Sequence, residues 1–235
     1  MSGRSYRIVV LAAAVALLAA RAAVAQGEPN DARSRAPLDL EGIWVSVVTE
    51  DWRWWMVTPA KGDYASVPLN AAGQAAASEW EPVDGEPSCL AFGAPALMRM
   101  PMHVRIRWAD ENTLELRTDR GRQTRIFRFD SNPPPAAPSR QGRSVATFDG
   151  TALKVVTDSL LPGWLRTNGV PYSDATRVTE YYNTHEAFGR EGFTVTTIVH
   201  DPVYLQTDFV TSTTFWKVAD DGDWQETPCR EPASQ

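Results

Sequence analysis

Cysteine, histidine and basic side chains are all scarce in this 235-residue chain. It has two Cys, three His, and 23 Lys plus Arg against 29 Asp plus Glu, for a formal charge of −6. Phosphate binding needs a basic footprint, so this balance argues against nucleic acid as a partner. The His and Cys are scattered without metal-ligand spacing, and neither a metal nor a cofactor is expected. No P-loop, G-x-G-x-x-G, H-E-x-x-H or G-x-S-x-G occurs, which removes the motif-bearing nucleotide enzymes, the zincins and the α/β-hydrolases. Beyond the N-terminus no apolar run is long enough to span a bilayer, so no stable membrane insertion is expected. What remains is a chain with 43% hydrophobic residues, near the globular average, and long enough for a core that needs no staples. Its 17 Pro exclude a long coiled coil, and its nine Trp, a high count, all lie from Trp44 onward.

The N-terminus has the form of an export signal. Arg4 and Arg7 precede the apolar run Ile8 to Ala20, and Ala23-Val24-Ala25 supplies a small-x-small cleavage site. Residues 1–25 are therefore expected to be a signal peptide, and polar, Pro-bearing residues 26–37 a flexible leader before a single domain over 38–230. Cleavage after Ala25 removes Arg4, Arg7 and Arg21 and takes the formal charge from −6 to −9. The expected location is the periplasm or the exterior. In an oxidising compartment a lone cysteine pair forms a disulfide, which predicts Cys89–Cys229.

From Leu40 the chain reads as strands. Met102, Val104, Ile106 and Trp108 alternate with His103, Arg105 and Arg107, and the period of two continues through Leu114–Leu116 and Thr124–Phe129. Asp149-Gly150 between two strand patterns is a strong hairpin signal. Later strands are read at Arg177–Tyr182, Phe193–His200 and Phe209–Val218, with His185-Glu186 placed in a turn. About nine strands joined mostly by short turns predict an antiparallel meander, closed into a barrel to protect its edges, with an open sandwich as the alternative. Asn70 is a plausible cap for one short helix over 71–80, although Gly73 weakens it. Two long connections, 50–101 and 158–175, stand out as candidate binding loops or barrel plugs. Residues 131–142 read as a polyproline-like linker.

Candidate chemistry comes from side-chain direction. Glu180 shares a strand face with Val178 and Tyr182, and Arg125 shares one with Phe127 and Phe129. If those aromatic faces point inward, Glu180 and Arg125 form a buried pair, functional or simply structural. His200, followed by Asp201, could be a base oriented by a carboxylate. His103 could face an anionic ligand from a His-Arg-Arg face, or simply solvent. Trp52, Trp54 and Trp55 offer flat apolar area for a ring-bearing ligand, or cap the barrel.

Gly42-Ile43-Trp44 on the first strand resembles the G-x-W that opens lipocalin and other calycin barrels. In that family the Trp packs across the closed end, often under an Arg, and a disulfide often ties down the C-terminal segment, a role Cys229 could fill. Thr207-Asp208-Phe209 is similar to the family's T-D-Y turn, displaced along the chain. From about Trp52 to Cys229 the chain also resembles a group of uncharacterised exported β-rich proteins of soil bacteria. That likeness lies in stretches such as Lys61-Gly62-Asp63-Tyr64, Leu153-Lys154-Val155-Val156-Thr157 and Asn168-Gly169-Val170-Pro171-Tyr172-Ser173. It implies an architecture and no activity.

The combined expectation is an all-β, lipocalin-like antiparallel barrel of about nine strands, with one short helix and two long loops. It would bind a small hydrophobic or ring-bearing molecule, with Trp52, Trp54, Trp55, Arg125 and Tyr182 as ligand contacts. The alternative is a cofactor-free lyase, isomerase or cyclase in which Glu180, with His103 or His200, moves protons inside the barrel.

Overall fold

The computed structural model describes residues 31–48, 57–82, 85, 87–130 and 136–231. The expected signal peptide and Trp52, Trp54 and Trp55 lie outside the described residues. The elements in chain order begin with β1 (Gly42–Val47), helix α1 (Ala71–Ser78), a 3₁₀ turn (Cys89–Phe92) and the short helix α2 (Ala94–Leu97). Then come β2 (His103–Asp110), β3 (Thr113–Thr118), β4 (Thr124–Arg128), β5 (Arg143–Asp149) and β6 (Ala152–Asp158). The chain ends with β7 (Gly163–Trp164), β8 (Pro171–Tyr172), β9 (Arg177–Ala187), β10 (Arg190–His200) and β11 (Phe209–Val218).

Nine strands close into a barrel in the order β1-β11-β10-β9-β6-β5-β4-β3-β2, while β7 and β8 form a separate two-stranded ladder. The expected barrel is therefore present, with one correction: it is mixed. β4 and β5 run parallel, with Phe127 opposite Ser144 and Arg128 opposite Val145. Parallel neighbours need a connection that returns the chain to the starting end. That return is made between Arg128, the last residue of β4, and Arg143, the first of β5. Asp149-Gly150 does turn the β5–β6 hairpin, with Gly150 at φ +62° and Asp149 opposite Ala152. The turn expected at His185-Glu186 is strand instead, and the chain reverses at Phe188-Gly189, both at positive φ.

Alternation fills the lumen with side chains. Val104, Ile106, Leu116, Phe127, Val155, Tyr182, Val195 and Phe215 are all buried on inward positions. Phe193 links much of this layer. Its ring lies 4.8 Å from that of Phe215, 5.0 Å from Trp44 and 5.9 Å from Tyr182. Trp44 donates its indole N–H to the Leu40 carbonyl at 2.9 Å, and the cation over its ring is Lys217, at 5.3 Å. Gly42 is required beneath that lysine. Its φ of +138° disfavours any side chain, and an added Cβ would meet the Lys217 stem at 3.1 Å.

One end of the barrel is sealed by rings, with Trp108 5.3 Å from Phe129 and Phe129 4.9 Å from Phe148. Residues 31–37 dock at this end. Ala32 is buried and its N–H reaches Asn112 Oδ1 at 2.9 Å, while the Arg33 N–H donates to the Glu111 carbonyl. The described part of the expected flexible leader is thus held by the β2–β3 turn, because that turn offers acceptors its own hairpin leaves unused.

The other end carries a layer built from the long connections. Leu97, Met98 and Met100 plug the lumen, and Val67, Leu69, Leu165, Tyr172 and Leu205 form a second apolar cluster above it. Asn70 caps α1 as expected, accepting from the Gly73 N–H at 2.9 Å. Gly73 is there for packing, since a Cβ would meet the Tyr204 carbonyl oxygen at 2.4 Å. After β11 the chain runs back along the outside of β2 and β3. Asp221 pairs with Arg105 at 3.0 Å, Trp224 lies under the same guanidinium, and Glu226 pairs with Arg122 at 3.6 Å. At the layered end Thr227 bonds Asp119 and Gly121, Arg230 bonds Pro87 and Cys89, and Cys89–Cys229 forms the disulfide.

That bond closes a loop over a sequence separation of 140 residues. In the chain-entropy description such a crosslink contributes about 4–5 kcal/mol. Denaturant titration of Cys89→Ser/Cys229→Ser against the native protein is expected to show a loss of that order. The native protein is expected to show no alkylatable thiol before unfolding and reduction.

Candidate functional site

Inside the barrel, Arg125 on β4 and Glu180 on β9 face each other across the lumen from strands that are not neighbours. The guanidinium is bidentate, Nη1 to Oε1 at 2.8 Å and Nη2 to Oε2 at 2.6 Å, and both side chains are fully buried. Arg125 Nη2 also donates to Thr157 Oγ1 at 3.2 Å, and Thr157 meets Ser144 Oγ at 2.8 Å. The Tyr182 hydroxyl donates to Glu180 Oε1 at 3.4 Å, and Phe127 lies beneath the guanidinium at 4.9 Å. Burial works to lower the Arg125 pKa, but the charges of Glu180 and Tyr182 and their hydrogen bonds together outweigh it and hold the guanidinium above its ordinary value. Burial, reinforced by Glu180, pushes the Tyr182 phenol well above its usual range. Arg125 Nη1 and Nη2 and both Glu180 oxygens are paired within the group, and Arg125 Nε alone among its buried polar atoms has no hydrogen-bond partner among the described residues. Arg125, Glu180 and Tyr182 are enclosed by packed rings, so the geometry gives them to the core and not to a ligand.

Among the described residues, the layered end carries two clefts that share Pro87, Phe92, Pro101 and Arg120. The first, about 600 Å³, has Trp80, Trp164, Phe92 and Met100 as apolar walls, with Lys61 and Arg120 at its edge. The second, about 690 Å³, lies between the end of β1, the start of β2 and the C-terminal segment, and includes Val45, Met102, His103 and Asp119. Val48 lines the second and Thr58 the first. The first cleft owes its floor to the β7–β8 ladder, which presents Trp164, and to the 3₁₀ turn, which presents Phe92.

The three histidines end up apart. His103 lines the second cleft, with Nδ1 2.8 Å from Asp119 Oδ2. His200 is 61% exposed and pairs with Asp208, at 2.8 Å, in place of the adjacent Asp201. His185 sits on β9 against the edge of Trp216, with Nε2 3.1 Å from Thr194 Oγ1. Glu180 is thus brought together with Arg125 and Tyr182, and with neither His103 nor His200.

Asp201 is taken by a different task. It is buried and accepts from the Ser173 N–H at 2.6 Å, Thr176 Oγ1 at 2.8 Å and the Val203 and Tyr204 N–H groups at 2.8 and 3.1 Å. It therefore ties the connection before β9 to the one after β10. Burial opposes its ionisation, but these donors outweigh that and hold its pKa below the usual carboxylate value.

Trp80, Trp164, Phe92, Arg120 and Asp119 were not singled out by sequence reasoning. Asp119 needs a strand register before it can be read. Once the β2–β3 register sets Val104 opposite Thr118, His103 and Asp119 fall side by side. The Trp80 and Trp164 walls come from chain segments with no periodicity to read. Among the described residues no group of three or more His, Cys, Asp or Glu could hold a metal ion.

Glu180→Gln and Arg125→Met should each cost about 3–5 kcal/mol in urea unfolding, because each leaves a buried charge or its donors unpaired. The double variant Arg125→Met/Glu180→Leu should recover most of that loss. For Asp201, the folded-state pKa lies below the ordinary 3.8, so its contribution is complete above that value and is lost as pH falls through the lowered one. Asp201→Asn is expected to lose about 1–3 kcal/mol at neutral pH and to show a shallower stability loss on acidification below 3.8, read by thermal unfolding across pH.

Comparison with known protein families, with curated proteins and with solved structures finds no match for this chain.

Proposed function

We propose that this chain is an exported small-molecule binding protein that takes a ring-bearing, largely apolar ligand at the layered end of its barrel, outside the lumen. The observation that carries this reading is the first cleft. Its volume of about 600 Å³ falls in the range of small-molecule sites, roughly 300–1,000 Å³. Trp80, Trp164 and Phe92 give it aromatic faces, and a few polar groups at the edge supply orientation. The packed lumen supports an end site over a central one, since a ligand at Glu180 would have to displace the Phe193 ring cluster. Export is supported by the N-terminal pattern together with the disulfide, a bond that persists in oxidising compartments. Among the described residues no helix is long and apolar enough to cross a membrane.

The neutral ring probe N-phenyl-1-naphthylamine tests the site. Its fluorescence is expected to rise on binding, and Trp80→Ala is expected to weaken that binding at least tenfold, about 1.4 kcal/mol, with the thermal midpoint little changed. Tyr181→Ala, on the outer wall, serves as the control and should bind as the native protein does. No binding, or equal binding by Trp80→Ala, would overturn the reading. Native mass spectrometry of the exported protein should reveal a retained small molecule.

A further inference from the structure

We infer that His103, oriented by Asp119, is a general base in the second cleft, and that Arg120 beside it stabilises an enolate oxygen. The chemistry is reversible removal of a proton α to the carbonyl of a ring-bearing compound. This rests on the reading of the layered end as a ligand site, extends it from the first cleft to the adjoining second one, and places a reaction there.

The tautomer follows from the hydrogen bonds. Asp119 Oδ1 already accepts from the His103 backbone N–H at 2.9 Å and the Arg120 N–H at 2.6 Å. A carboxylate held by two backbone donors is an acceptor, so His103 Nδ1 must donate to Oδ2, across 2.8 Å. Nε2 is then the ring atom with a free lone pair, and it has no protein partner among the described residues. The Asp119 side chain is 6% exposed and that of His103 is 19% exposed, so the carboxylate is sheltered while the imidazole reaches the cleft. Shelter strengthens the orienting bond. His200 makes a bond of the same length to Asp208, but both partners are exposed and neither is among the residues lining the clefts.

Three further features make this pair more than a bonded histidine. The cleft, at about 690 Å³, has room for a bicyclic ring beside the imidazole, with Val45, Phe92 and Met102 as apolar walls. Arg120 lies on the same cleft and is anchored by Nη1 on the Pro101 carbonyl at 3.2 Å, two residues from His103. Its remaining N–H groups can meet an oxyanion. The disulfide-tied C-terminal segment, through Thr227 and Pro228, supplies the opposite wall.

The step balances without a co-reactant. Nε2 takes the α-proton, the C–H electron pair moves into the carbonyl to give an enolate, and Arg120 meets its oxygen. The protonated Nε2 trades that proton with solvent and a solvent proton is delivered to the same carbon, giving exchange. Where the substrate is an unsaturated ketone that forms a dienolate, delivery to the far carbon gives isomerisation.

The test is exchange of the α-protons of 2-tetralone in D₂O, followed by proton NMR with the full disulfide-bonded chain. The native protein is expected to exchange them faster than an equal concentration of free imidazole. His103→Gln should lose about 100-fold or more, the lower range for general-base catalysis, and added imidazole should restore part of the loss. Asp119→Asn should slow exchange without raising the half-saturating 2-tetralone concentration, as a positioning residue requires. A native rate no greater than that of imidazole, or native-like exchange by His103→Gln, would overturn the inference. N-phenyl-1-naphthylamine separates the two readings. Probe binding without exchange removes the base and leaves the binding site, whereas loss of both in the native protein removes both.

Discussion

The Arg125–Glu180 pair joins two strands that share no backbone hydrogen bond, and the registers around it are fixed by what it would cost to separate the charges. Neither side chain reaches water, and Thr157, Ser144 and Tyr182 take up adjoining hydrogen-bonding positions. A one-residue slip of β4 or β9 would turn one charge outward and leave the other unpaired in a low-dielectric interior. The pair thus specifies pairing on β4, β5, β6 and β9 together, which apolar residues alone do less sharply. The pair also belongs to the packed middle of the barrel, and open space is left at the end, where the long connections lie.

Much of this was legible along the chain wherever side chains alternate. The shared faces of Val104 with Ile106, of Phe127 with Arg125 and of Tyr182 with Glu180 follow from a period of two, whereas the meeting of Glu180 with Arg125 followed only on the condition that the aromatic faces turn inward. The Asn70 cap was legible because capping is local. The parallel β4–β5 seam was not, because two strands with the same alternation look identical whichever way they run. Nor was the His103–Asp119 contact, which needs a register before it can be seen, or the Trp80 and Trp164 walls, which belong to irregular segments shaped by what they pack on. Gly73 shows the same limit from the other side. Its cost to helix propensity is local, and its reason, the approach of the Tyr204 carbonyl, is not.

The layered end is held by contacts of very different kinds. Asp201 gathers two connections through five donor contacts, and the C-terminal segment is held by backbone bonds at Thr227 and Arg230 and by one covalent link. The C-terminal segment borders both clefts, through Arg230 in the first and Thr227 and Pro228 in the second, and so gives them a wall with little freedom to collapse. A preformed site of that kind spends less binding energy on ordering itself.

β1 pairs on one side with β2 and on the other with β11, so Ile43 and Val218 are neighbours in the finished barrel. A chain that emerges from its N-terminus, whether from a ribosome or through a membrane channel, can build the β2–β3 and β5–β6 hairpins early. It cannot close the circle until β11 is free. Cys89 must wait as long for Cys229. The fold is therefore committed late, and until then the open edge of β1 is a bare strand. Such non-local closure is slow and exposed to mispairing, so the interval between arrival of the first strand and arrival of the last is when this protein is most in need of protection.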